Sequence, residues 1–319
     1  MRIAFDAKRA YQNDTGLGNY SRMLIDKLAK VYPALEYFPM APKLTDMYRP
    51  AYPNIHPVAP SGLSAIFSSL WRSSWMKKDL KKLNIDIYHG LSHEIPVGIQ
   101  NTGISTVVTM HDLIFEHYPA HFKPADVLIY RKKFTYACKY ADKIITVSQH
   151  TKDDLVKLYN VAPEKITVCY TAAHTSFQTL QDDKEKERIR NKYKLPEKFF
   201  LSIGSIIERK NLLNICKAIE QLKGTSNIPL IVIGGTKTNY AAQVKEYVKE
   251  QGLENDVIFM ADQPEGNEPD LKNSKDLPAI FQCATAMIYP SVYEGFGLPV
   301  LEALWSGTPA ITSNVPQVG

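Results

Sequence analysis

Short apolar runs closed by polar or turn residues recur along the chain: RIAFDA, IDIYHG, ISTVVTMHD, KIITVS and KITVCY, then FFLSIGS, IPLIVIGG, DVIFMAD, ATAMIYPS and TPAITSN. Their length and their Val and Ile content predict strands. Between most of them the spacing becomes helical, as in YSRMLIDKLAKVY, TKDDLVKLY, LLNICKAIEQLK and YAAQVKEYVKEQG. Apolar strands alternating with helices belong in parallel sheets covered on both faces, the doubly wound α/β class. The series breaks once, at TAAHTSFQTLQDDKEKERIRNKYKLPEK, which is charged and reads without a strand. Two Rossmann-like domains facing a cleft are therefore expected, residues 1–172 and 198–319, joined by a linker over residues 173–197. Ligands are expected at the carboxyl ends of the strands.

Two other stretches stand outside this rhythm. SSLWRSSWMKKDLKKLN puts Phe67, Leu70, Trp71 and Trp75 on one helical face, but Lys78, Lys81 and Lys82 then occupy that face while Met76, Leu80 and Leu83 point the other way. A packed helix with a mid-way break fits this better than a membrane-docking helix. ADQPEGNEPDLKNSKD is polar and turn-rich and reads as a mobile surface loop.

Composition adds bounds. With 319 residues, 45% hydrophobic and 22% charged, the chain is globular and long enough for two domains. The net charge of +5 suits an anionic ligand or an anionic membrane surface but does not point to nucleic acid. Cys138, Cys169, Cys216 and Cys283 lie far apart with no CxxC pair, so buried thiols in a reducing compartment are expected. The first apolar run, about five residues, is far short of the roughly 20 that span a bilayer. The expectation is a cytoplasmic protein, at most peripheral on the cytoplasmic membrane face.

Candidate chemistry concentrates in PSVYEGFGLPVLEALWSG, residues 290–307. Gly295 and Gly297 break the structure after a strand, Pro299 suits the first turn of a helix, and Gly307 suits its end. Glu294 then sits on the loop and Glu302 in the second helical turn. The amides of Phe296, Gly297 and Leu298 form an anion site, beside carboxylates able to accept from hydroxyls. SIGSIIERKNLLN repeats the plan, with Gly204 in the turn and Arg209 and Lys210 opening a helix. Cations there oppose the helix dipole and call for an anion. In NDTGLGNYSRML, Gly16 and Gly18 precede a helix and allow backbone to approach a phosphate or sugar, although Ser21 replaces the third glycine of a dinucleotide fingerprint. His111 closes a strand at the ligand end, a candidate donor to a sugar hydroxyl or to developing charge. His89 has an analogous place. Each of these residues also has a purely structural reading. No DxD triplet occurs and no histidine pair shows metal-ligand spacing, so no metal or cofactor is expected.

EGFGLPVLE resembles the E-x7-E motif of the retaining GT-B glycosyltransferases of family four, and GSIIERKN, TMHDLIFEHYP, ADKIITVSQHTKDDL and GLGNYSRML fall in that family's order. The resemblance implies transfer of a hexose from a nucleotide-diphosphate sugar, such as GDP-mannose or UDP-glucose, to a glycan or lipid-linked acceptor. Configuration would be retained and no metal used. It implies that Glu302 holds the ribose hydroxyls, Glu294 the donor sugar, and Arg209 with Lys210 the diphosphate. It also implies that the Phe296 to Leu298 amides bind donor oxygens, that the Gly16 to Gly18 loop nears the phosphates, and that His111 lies near the reacting carbon. Acceptors are expected on the first domain. Two departures follow. The chain stops at TSNVPQVG, so the second domain is expected to be incomplete, and the ADQPEGNEPDLKNSKD loop is longer than usual. A nucleotide-sugar binding protein without turnover, or a nucleotide-sugar epimerase or phosphorylase of the same fold, are the alternatives; oligomeric state is not legible.

Overall fold

The computed structural model describes residues 1–315. The chain divides into two compact units, Met1–Thr171 and Ala172–Gly319. In the first, the strands β1 (Arg2–Asp6), β2 (Glu36–Met40), β3 (Ile87–Gly90), β4 (Ser105–Met110), β5 (Lys143–Thr146) and β6 (Ile166–Val168) form one sheet in the order β2-β1-β3-β4-β5-β6. In the second, β7 (Phe200–Ile203), β8 (Leu230–Ile233), β9 (Val257–Phe259), β10 (Ala286–Tyr289) and β11 (Ala310–Thr312) take the order β11-β10-β7-β8-β9. Every strand pair is parallel. Both sheets are sandwiched between helices, and buried apolar clusters lie against them, around Val108 and Ile144 in the first unit and around Leu201, Val232 and Met287 in the second.

Strand order reverses between β1 and β3 in the first sheet and between β7 and β10 in the second, and in open α/β sheets such reversals are where ligands generally bind. Arg209 and Lys210 follow β7, and Glu294 follows β10.

All ten expected strands are present. The additional one, EYFPM, was hidden by Pro39, which cannot donate to a ladder. β2 tolerates it as a sheet-edge strand in which the Pro39 carbonyl still accepts from Val58 N at 2.9 Å. Residues 173–197 differ from a linker. They carry the helix Asp183–Tyr193, capped by Asp182, and Ile189, Tyr193 and Leu195 are buried in the core of the second unit. The broken helix is present, with a π turn at Trp71–Trp75 joining shorter pieces to Met76–Lys82. Trp71, Met76 and Leu80 are buried, while Phe67, Leu70 and Trp75 are exposed, so the change of face follows from the extra residue in the wider turn. The ADQPEGNEPDLKNSKD stretch is not irregular. It forms the turns Met260–Asp262, Pro264–Asn267 and Pro269–Lys272, and Lys192 ties it down through Asp270 at 2.7 Å and Asp276 at 2.8 Å. Three cysteines are buried as expected; Cys169 is exposed because it follows the edge strand β6. Among the described residues no helix is long and apolar enough to cross a membrane. The end of TSNVPQVG, residues 316–319, lies outside the described residues.

Candidate functional site

In the second unit the loop after β7 makes a single 3-10 turn, Glu208–Lys210, and Asn211 (φ 61°) then starts the helix Leu212–Gln221. Arg209 and Lys210 therefore stand on a turn before the helix and not in its first turn. Gly204, at φ 123°, permits the reversal that precedes them. The turn is clamped from the side, since a Cβ on Gly234 would sit 2.0 Å from the Gly204 carbonyl oxygen. That glycine drew no attention in the sequence because its partner is 30 residues away.

The two cations meet an anion from the same unit. Arg209 Nη1 and Lys210 Nζ each lie 2.6 Å from Glu294 Oε1. The same oxygen accepts from the Ser291 hydroxyl at 2.5 Å and the Tyr289 hydroxyl at 2.9 Å. Lys210 also contacts the Tyr289 hydroxyl and lies 4.3 Å from the centre of that ring, while Arg209 contacts the Tyr293 carbonyl. Glu294 is 8% exposed. Burial alone would raise its carboxyl, but Lys210, Arg209 and the hydrogen bonds outweigh burial and hold it below the ordinary value. Burial lowers Lys210, against the pull of Glu294. The result is a buried ionised cluster with its positive charge facing one carboxylate oxygen. Ser291, Tyr289 and Tyr293 are members that sequence spacing did not single out.

Glu302 contrasts with this. It lies in the second turn of the helix Leu298–Trp305, half-buried, and among the described residues its side chain makes no ion pair or hydrogen bond. Burial pushes its carboxyl up to about 7. Gly297, at φ 81°, caps this helix, and Pro299 sits in its first turn as expected, so Gly297 and Leu298 present backbone at the start of the helix beside Phe296.

The first unit ends its strands in neutral rings. His89 follows Phe5 across the β1–β3 pair, and its Nε2 lies 2.8 Å from Thr109 Oγ1. His111 Nε2 lies 2.9 Å from the Leu91 carbonyl oxygen. A carbonyl only accepts, so that nitrogen carries the proton and Nδ1 is left as an acceptor. The remaining ring nitrogen of His111 can therefore accept and not donate, a correction to the expected donor role. Its backbone N–H donates to His93 Nδ1 at 3.3 Å, and Tyr20 meets the ring edge-on at 4.8 Å. Burial, reinforced by neighbouring positive charge and the other rings, lowers His89 to about 4, His93 to about 3 and His111 to about 4. All three are uncharged at neutral pH.

Tyr20 belongs to the helix Gly16–Val31, so the glycine turn and His111 share one strand-end region. The two glycines differ. A Cβ on Gly18 would lie 1.9 Å from the Asn13 carbonyl oxygen, and its N–H is bonded to Asn13 Oδ1 at 3.1 Å. Gly18 is thus required by the packing of its own turn. Gly16 is exposed, with no atom within 4 Å of a Cβ placed there, and fits backbone approach by a ligand. Beside this region a cavity of about 250 Å³ is lined by Asp6, Arg72, Tyr88, Glu94, Lys133 and Tyr136 among others. Arg72 bridges Asp6 and Glu94, and Lys133 lies 2.6 Å from Glu94 Oε2. That network is not legible along the chain, because its members come from four separated segments. The same is true of His117, His150 and Asp154, which converge in the first unit although no histidine pair had metal-ligand spacing.

Known proteins resemble this chain in sequence and in fold. Residues 15–177, half of the chain, match the family Glycosyltransferase Family 4, and residues 183–319 match Glycosyl transferases group 1. The O-antigen chain mannosyltransferase RfbU of Salmonella typhimurium is 30% identical over 224 residues, covering 70% of this chain and 55% of the relative. The O-antigen chain mannosyltransferase B of Escherichia coli is 28% identical over 253 residues, covering 77% and 61%. The chain thus spans somewhat over half the length of these curated relatives. Among solved structures, WaaG, a glycosyltransferase involved in lipopolysaccharide biosynthesis, superposes with a TM-score of 0.69 at 16% identity over 100% of this chain and 82% of its own. Anabaena Alr3699/HepE in complex with UDP and glucose gives 0.70 at 15% identity over 99% and 81%. These likenesses below 25% identity speak for the fold, and the match over half of the chain settles the family: the chain belongs to glycosyltransferase family 4 and has its two-sheet GT-B architecture.

Proposed function

We propose that this protein transfers a hexose, mannose being the first candidate, from a nucleotide-diphosphate sugar to a saccharide or lipid-linked acceptor. The transfer retains the anomeric configuration and uses no divalent metal on the diphosphate. The carrying observation is the buried cluster of Arg209, Lys210 and Glu294, with Glu302 in the following helix unpaired among the described residues. The mannosyltransferase names of the two relatives and the UDP and glucose named with the Alr3699/HepE structure support the substrate class.

In this reading the diphosphate takes Arg209 and Lys210 from Glu294, whose freed oxygen accepts from hydroxyls of the donor sugar. Glu302 accepts from the ribose hydroxyls and ionises on doing so. As the glycosidic bond breaks, the leaving diphosphate gains negative charge, and two fixed cations stabilise that state more than the ground state. The amides at Phe296, Gly297 and Leu298 and the turn at Gly204 line the donor's path. Gly16 offers backbone to a phosphate or sugar, and His111 Nδ1 accepts from a hydroxyl. The acceptor belongs to the first unit, where the cavity lined by Arg72, Glu94 and Tyr136 offers a few polar groups on a mostly apolar wall.

The test is turnover of a panel of nucleotide sugars by chelator-treated enzyme, with the anomeric configuration of the product read by NMR. Transfer from a GDP- or UDP-hexose without Mg2+ or Mn2+ is expected. Strict dependence on either ion, or an inverted product, overturns the corresponding part. Nucleoside diphosphate binding lost in Lys210→Ala, with no transfer from any donor, would leave a binding protein.

A further inference from the structure

A second group of ligand-type side chains lies in the first unit, apart from the residues assigned above. His117 ends the helical turn Ile114–His117 that follows β4, and His150 and Asp154 belong to the helix Gln149–Tyr159. Four residues apart, the latter two share one helix face. His117 Nε2 lies 2.8 Å from Asp154 Oδ2, and His150 Nε2 lies 3.3 Å from the same oxygen. The three ligand atoms all fall within 4.8 Å of one another. The Asp154 side chain is 8% exposed, whereas those of His117 and His150 are 34% and 24% exposed. The group therefore has a buried carboxylate floor and a rim that solvent reaches.

We propose that His117, His150 and Asp154 form a binding site for Zn2+. Two imidazoles from different elements turn the same nitrogen, Nε2, toward one carboxylate oxygen. Each Nε2 can offer its lone pair to the same point that the carboxylate oxygen faces. A single cation at their meeting point bonds to all three, each ring then holding its proton on Nδ1. Bonds of about 2.0–2.2 Å at tetrahedral angles put neighbouring ligand atoms about 3.3 Å apart. The observed 2.8 and 3.3 Å are close to that, and small side-chain rotations supply the remainder. Two neutral imidazoles with one carboxylate suit a borderline ion such as Zn2+, whereas Mg2+ and Ca2+ prefer oxygen ligands throughout. Three protein ligands leave a fourth position for water.

The bound ion would fasten the turn after β4 to the helix that follows β5. Thr151, next to His150, donates to the His111 carbonyl at 3.2 Å, so the same fastening reaches the strand-end histidines. This is a positioning role and stands independently of the proposed transfer reaction, whose diphosphate is assigned to Arg209 and Lys210.

The test uses the full chain without a histidine tag. Equilibrium dialysis should give about one Zn2+ per chain, with Mg2+ not competing. His117→Ala and His150→Ala should each weaken Zn2+ by more than the roughly 10–100-fold that outer partners of a metal site cost. His174→Ala and Cys169→Ser, which remove an exposed histidine and the exposed thiol elsewhere, should leave binding intact. Far-UV circular dichroism checks the fold of each variant. Zinc-edge X-ray absorption of the unaltered chain reads the ligands without any substitution and should show nitrogen and oxygen only. Absent saturable binding, sulfur in the first shell, or Zn2+ held equally well by His117→Ala overturns the proposal.

Discussion

Both units end their sheets in a buried polar cluster, and the two clusters solve burial in opposite ways. In the second, charge is kept and paired: Arg209 and Lys210 converge on Glu294 within 2.6 Å. In the first, beside the paired charges of Asp6, Arg72 and Glu94, a group of rings is discharged: burial presses His89, His93 and His111 to about 4, 3 and 4 and leaves them neutral. Desolvation penalises an ion far more than a neutral dipole, so a buried ion persists only where opposite charge and hydrogen bonds surround it. The ionic cluster can receive a charged diphosphate. The neutral one can only exchange hydrogen bonds, which suits uncharged hydroxyls.

The largest expected effect breaks the ionic side. Lys210→Ala should lower kcat by about 10²–10³, roughly 3–4 kcal/mol of barrier, and weaken nucleoside diphosphate binding; a kcat within a few fold of the unaltered enzyme would remove Lys210 from the chemistry. Acid tests the neutral side next. The imidazoles bind protons more weakly folded than unfolded, so stability should fall as pH drops from 6.5 toward 4. Replacing His89 by Gln should remove up to about 3 kcal/mol of that dependence, measured by urea unfolding across the range. Glu302 gives the opposite sign within the second unit. Its carboxyl binds a proton more tightly folded, at about 7 against 4.5, so its share of stability falls as pH rises through that window. Glu302→Gln should therefore stabilise the chain by up to about 3 kcal/mol at pH 8 relative to pH 4 while weakening donor binding. Equal unfolding profiles for the two chains would show that Glu302 is not buried as described. The smallest effect separates the glycines. Gly18→Ala should cost at least about 1 kcal/mol through its clash with Asn13, whereas Gly16→Ala should leave the melting temperature nearly unchanged and alter donor or acceptor KM.

Local pattern carried much of this. Ten strands were legible because parallel strands buried on both faces are apolar without interruption. The helix Leu298–Trp305, with Pro299 inside its start and Gly307 past its end, was legible from cap chemistry. The helix Asp183–Tyr193 was not, because DKEKERIRNKY offers only Ile189 and Tyr193 as a narrow apolar face, and so it read as linker. β2 was lost to Pro39, which only an edge position tolerates.

The sequence by itself determined the doubly wound class and the place of Arg209 and Lys210 just ahead of a helix. Both follow from periodicity and turn chemistry, which are local. Only the tertiary structure decided that the anion facing Arg209 and Lys210 is Glu294, that Glu302 stands without such a partner among the described residues, that His111 accepts at Nδ1, and that His117 meets Asp154. Each of these depends on side chains brought together by the order of strands in a sheet. Distance through space, which sets Coulomb energy, desolvation and hydrogen-bond direction, is not a function of separation along the chain.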